Sequence, residues 1–170
     1  MEILKASINW AKAEVFSSAF FILFGVLFLI ATIGFWQLGK SEFAKAFMVP
    51  TLVAGILLLI IGCGLVYSNT SRISSFPIAY ESDALGFVQS EITRTEKTMK
   101  EYQLIVFKII PLMIIIAAML IIFIDRPSWR IGSMVAIALL AIILLIDSNA
   151  NARIEAYNKE LVSAQKELKS

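Results

Sequence analysis

Tyr67-Ser68-Asn69-Thr70-Ser71-Arg72-Ile73 closes one long apolar run of this chain, and Asp147-Ser148-Asn149-Ala150-Asn151-Ala152-Arg153-Ile154 closes another. The two stretches echo each other. Val15-Phe16-Ser17 and Val106-Phe107-Lys108 likewise open the first and third apolar runs. These matches predict a hairpin of two membrane helices present twice in tandem, each copy ending in a soluble helix. The two sets of matches differ in offset by about eleven residues, so the first hairpin is expected to be longer and to project farther at its tip. Gln37-Leu38-Gly39-Lys40-Ser41-Glu42 supplies that tip, with a Gly to close one helix and a Ser to cap the next.

Composition agrees with a membrane chain. Apolar residues make up 59% and charged residues only 16%, with a mean hydropathy of +0.83. The chain is uncharged from Val15 to Gly39 and from Ala46 to Ser71, each more than the roughly 20 residues that cross a hydrocarbon core. Ile109 to Ile124 and Ile131 to Ile146 are shorter, but Lys108, Arg126 and Arg130 can extend their charges to the interface. Four spans follow. The fold expected is an all-α integral membrane protein, with four transmembrane helices in two tandem, parallel-repeat hairpins and coiled-coil-like helical extensions in the cytoplasm.

Lys and Arg set the orientation. Lys5, Lys12, Arg72, Arg94, Lys97, Lys100, Arg153, Lys159, Lys166 and Lys169 fall at the termini and the middle connection, whereas the two tight connections carry Lys40, Lys45, Arg126 and Arg130. Both termini are therefore expected in the cytoplasm of a multi-pass plasma membrane protein, of the bacterial inner membrane. Trp36 and Trp129 outside, and Trp10, Tyr67 and Tyr102 inside, read as interfacial anchors. The resulting organisation is an interfacial lead-in helix over 1–14, a hairpin over 15–71, a stalk over 72–102, a second hairpin over 103–147 and a C-terminal helix over 148–170.

The stalk carries its own pattern. Leu85, Val88, Ile92, Thr95, Met99, Tyr102 and Val106 alternate steps of three and four, the spacing of a coiled-coil seam. Ile154, Tyr157, Leu161, Ala164 and Leu168 repeat it after the fourth span. The two stripes invite antiparallel pairing. Asn69, Ile73, Phe76 and Tyr80 extend the pattern beyond the second span until Pro77, which is expected to interrupt the helix. Ser82 or Asp83 is expected to cap the returning helix.

Candidate chemistry is sparse. Lys108 and Asp147 occupy equivalent depths on the third and fourth spans, and a paired charge is cheaper there, so an ion pair between them is expected. Ser18, Gly25 and Thr32 recur every seventh residue on the first span, and Thr51, Gly55 and Gly62 share a face of the second. Such stripes serve close helix packing, with a pore face in an oligomer as the competing use. The carboxylates of the soluble helices, Glu91 among them, read as a solvated face. Histidine is absent and Cys63 is the lone cysteine, which removes the commonest metal ligand and any intrachain disulfide. No catalytic, cofactor or metal motif stands out, and a net charge of +2 gives no reason to expect nucleic acid. The function expected is a non-catalytic scaffold or accessory subunit whose partners are the lipid bilayer and either a second copy or another membrane protein. An oligomeric ion channel or small transporter, and a membrane-embedded inhibitor or immunity protein, are the other classes.

Overall fold

A computed structural model describes residues 2–169, all of them in helices or short turns. The helices are α1 (Glu2–Leu38), α2 (Glu42–Ala46), α3 (Met48–Ser82), α4 (Ala84–Glu101), α5 (Ile110–Phe123) and α6 (Pro127–Lys169), with a wide π-helical stretch over Tyr102–Ile109 joining α4 to α5. Four helical stretches, Glu2–Leu38, Glu42–Ser82, Ala84–Phe123 and Pro127–Leu168, are long and apolar enough to cross a membrane.

Local chemistry places the turns. Gly39 follows α1, and Ser41 caps α2 by accepting a hydrogen bond from the Ala44 amide at 3.1 Å. Asp83 caps α4, its carboxylate accepting from the Gly86 amide at 2.9 Å. A Cβ on residue 86 would crowd that carboxylate, and the glycine leaves the Asp83 side chain free to fold over the helix end. Asp125 and Arg130, 3.1 Å apart, clasp the turn between α5 and α6. The π-helical stretch precedes Pro111, whose ring would press on the Phe107 carbonyl in a regular α-helix; a wider turn relieves that clash.

Packing is uneven around the apolar end. α1 and α3 make the most extensive contact, while α5 touches only α6 and its own π-helical lead-in. The apolar core of this end, Phe21, Leu58 and Ile146, joins α1, α3 and α6 and leaves α5 outside. Three helices form the bundle there and the fourth leans on its flank.

At the charged end the helices continue into a second core of Ile3, Trp10, Ala11, Phe76, Phe87, Val88, Ile154, Tyr157 and Leu161. Residue 1 of the segment expected as an interfacial lead-in over 1–14 lies outside the described residues; residues 2–14 are the first turns of α1, with Ile3, Ser7, Trp10 and Ala11 buried against α3, α4 and α6. Its narrow apolar stripe meets protein rather than lipid. Pro77 likewise does not end α3, which runs on to Ser82. Losing one amide is tolerated because Phe76 and Tyr80, on either side of it, pack edge-on against Phe87 at 5.3 and 5.8 Å.

Candidate functional site

The stripe of small residues is a seam inside one chain. A Cβ on Gly25 would lie 3.1 Å from the Gly55 carbonyl oxygen, and one on Gly62 would lie 2.9 Å from the Ile22 amide nitrogen. Only glycine lets the α1 and α3 backbones approach this closely. The Thr32 hydroxyl lies 2.9 Å from that of Thr51, and Ser18 turns its hydroxyl back onto the Glu14 carbonyl at 2.7 Å. With Ser18 and Thr51 buried, the face once open to a pore reading is occupied by the chain's own helices.

The residues expected to form a helical seam differ in burial. Val88, Ile154, Tyr157 and Leu161 are buried, and Ile92 and Met99 pack beside them. Leu85 and Leu168 stay exposed, because Phe87 rather than Leu85 fills the space beside Phe76 and Tyr80. Lys108 and Asp147 do not meet. Lys108 is exposed and borders a groove with Glu96, Lys100 and Gln103, whereas Asp147 is half-buried and faces Tyr102 and Glu14. Equal depth on two helices did not imply a shared face.

The polar chemistry collects one turn farther on, around Trp10. Glu91 is 6% exposed, and its carboxylate accepts two hydrogen bonds from Arg94, Nε to Oε1 at 2.8 Å and Nη2 to Oε2 at 2.6 Å. That geometry is the planar fork of a strong charge-assisted pair. The Tyr157 hydroxyl on α6 donates to the same carboxylate at 3.1 Å and lies 2.9 Å from the Ser7 hydroxyl of α1. Three helices thus meet at one carboxylate. The Tyr157 ring stacks on Trp10 with centroids 5.0 Å apart, and the guanidinium carbons of Arg94 and Arg72 lie 4.6 and 5.8 Å from the Trp10 centroid. Burial, and then the Glu91 charge, push the Tyr157 phenol above its ordinary range. Burial first and Arg94 second pull Arg72 below its ordinary value.

Both echoed stretches deliver an arginine to this cluster. Arg72 donates to the Asn69 side-chain oxygen at 2.6 Å, and Arg153 donates from Nε to Glu14 at 2.8 Å. Asn158 completes the web by donating to the Thr95 hydroxyl at 2.7 Å. Sequence reading passed over Trp10, Glu14, Glu91 and Arg94, taking Trp10 for an anchor and Glu91 for solvated surface. The available signals were the Glu91–Arg94 spacing of three and the position of Glu14 directly before the first apolar run. Among the described residues no group of three or more acidic or cysteine side chains gathers as a metal would need. Comparison of the chain with protein families, curated proteins and solved structures finds no match in any of the three.

Proposed function

We propose that this protein is a non-catalytic scaffold or accessory subunit of a membrane complex, holding a transmembrane helix of another membrane protein in the groove between α5 and α6. The observation that carries this reading is the isolation of α5, which packs on α6 alone. A groove of about 520 Å3 opens between the two, bordered by Ala117, Gly132, Ser133, Ala136 and Trp129. A Cβ on Gly132 would meet nothing within 4 Å, so beside Gly132 the groove between the two helices is left open, although Ala117 and Ser133 at its floor are buried. Close helix approach is the ordinary use of such a surface in a bilayer.

The charged end supports the same reading. Its seam is filled within one chain, which suits a monomeric arm held rigidly on the membrane bundle rather than a coiled coil waiting for a second copy. The excess of Lys and Arg at that end supports cytoplasmic termini in a plasma membrane, proposed here as a bacterial inner membrane, and the convergent arginines of the two echoes are compatible with a tandem duplication.

A photo-crosslinking residue at Ala136, compared with one at the exposed Met134, tests the proposal in native membranes. Crosslinking to a defined second membrane protein from position 136 and not from 134, abolished by Gly132→Leu, is expected. Lipid adducts alone at both positions would refute it. Detergent-solution mass separates the partner from a second copy, and ion flux through the purified protein in liposomes would favour the channel class instead.

A further inference from the structure

A partly open cavity of about 150 Å3 lies beside the Trp10 cluster, bordered by Arg72, Arg94, Trp10, Asn69, Tyr102 and Glu14, with Leu65 at its apolar edge. Its charges are unequally matched. Arg94 has Glu91, and Glu14 has Arg153. Arg72 has no carboxylate within 4.0 Å among the described residues, its hydrogen-bond partner being the neutral Asn69 oxygen. A half-buried guanidinium facing a second one is costly; Glu91 and Glu14 offset part of that cost from a distance, and an anion in direct contact with Arg72 would offset more.

One further donor borders the same space without a partner, and the Trp10 ring lines its wall. The indole Nε1 of Trp10 makes no hydrogen bond but is fully covered, so the ring rather than the N–H meets the cavity. Tyr102 enters no side-chain hydrogen bond among the described residues, and burial, followed by the Asp147 charge, holds its phenol protonated and able to donate. Asn69 anchors itself to the Leu65 carbonyl at 3.0 Å and so holds the Arg72 guanidinium beside the cavity. A charged fork with the Tyr102 hydroxyl beside it, around a cavity too small for a large ligand, suits a tetrahedral oxyanion, and the one carboxylate in the lining, Glu14, is already paired with Arg153.

We propose that this cavity binds a phosphate group, with Arg72 as its principal contact and Tyr102 as a second donor. Leu65 and Asn69 mark the end of the second apolar run, so the phosphate of an anionic phospholipid and soluble phosphate can both reach the depth of the site. The inference is independent of the α5–α6 groove.

Trp10 is the reporter. In a Trp36→Phe/Trp129→Phe background, its emission is followed in phosphatidylcholine nanodiscs titrated with inorganic phosphate at constant ionic strength, and in nanodiscs of increasing phosphatidylglycerol content. A saturable change with either source is expected, at least tenfold weaker in Arg72→Gln and several-fold weaker in Tyr102→Phe. A response to phosphatidylglycerol alone identifies the lipid headgroup, and a response to inorganic phosphate identifies the soluble anion. Arg72→Lys keeps the charge without the fork and is expected to fall between parent and Arg72→Gln; with Tyr102→Phe it carries the test should Arg72→Gln fail to fold. No saturable change from either source, or an unchanged response in the variants that fold, overturns the proposal.

Discussion

Gly62 and Gly64 lie two residues apart on α3, and the structure assigns them opposite sensitivities. A Cβ at 62 would meet Ile22 Cγ1 at 2.7 Å, the Ile22 amide nitrogen at 2.9 Å and Phe21 Cβ at 3.0 Å, whereas one at 64 meets nothing within 4 Å. The Ile22 side chain can rotate away, but its amide cannot. α1 and α3 must therefore move apart, and a gap of roughly 0.5 Å already forfeits a quarter or more of the dispersion well for each facing atom pair. Overpacking of this kind costs about 1–3 kcal/mol. Replacing glycine by alanine also favours the helix by about 1 kcal/mol, and that gain is common to both sites, so the difference between the two variants isolates the packing cost. Gly62→Ala is expected to be about 1–3 kcal/mol less stable than Gly64→Ala, read as the midpoint of unfolding in mixed detergent micelles followed by far-ultraviolet circular dichroism. A Gly62→Ala protein as stable as Gly64→Ala would refute the close approach of the two backbones.

Glu91→Gln should destabilise the charged end by about 2–3 kcal/mol, because Arg94 and Tyr157 lose a charged acceptor, and a double-mutant cycle with Tyr157→Phe should show coupling between the two sites. Asp83→Ala should cost about 1 kcal/mol in the same unfolding assay by removing the α4 cap. Tyr102 and Tyr157 carry phenols raised above their ordinary range; each favours the fold fully below the free phenol value of about 10, and that contribution is lost as pH rises toward the folded values. Alkaline titration at 295 nm should therefore show a late phase coincident with loss of helicity, reduced in Tyr157→Phe, and all four tyrosines of the chain titrating together near the free phenol value of about 10 in the intact fold would contradict the burial of these two.

Four apolar helices, the Gly39–Ser41 turn and the Asp83 cap were legible because each depends on local composition or spacing. The exceptions depend on what lies opposite. Trp10 looked like an anchor because aromatics beside an apolar run usually meet lipid, yet Tyr157 and two guanidiniums cover it. Pro77 looked like a terminus because propensity knows nothing of Phe87. The Lys108–Asp147 pairing failed because depth along a helix carries no information about rotation around it. Glu91 stands on a polar-looking helix, and only the arrival of α1 and α6 buries it.

The central claim is that α4 and α6 close one core within a single chain, beside the first turns of α1. The Gln89 and Gln165 side chains, hydrogen-bonded at 2.6 Å across α4 and α6, sit at the rim of that core. A Gln89→Cys/Gln165→Cys pair in a Cys63→Ser background, treated in native membranes with a short bis-maleimide, measures it directly. A link formed within one polypeptide, with none between differently tagged copies, is the predicted result. No link, or a link found only between copies, would contradict the account.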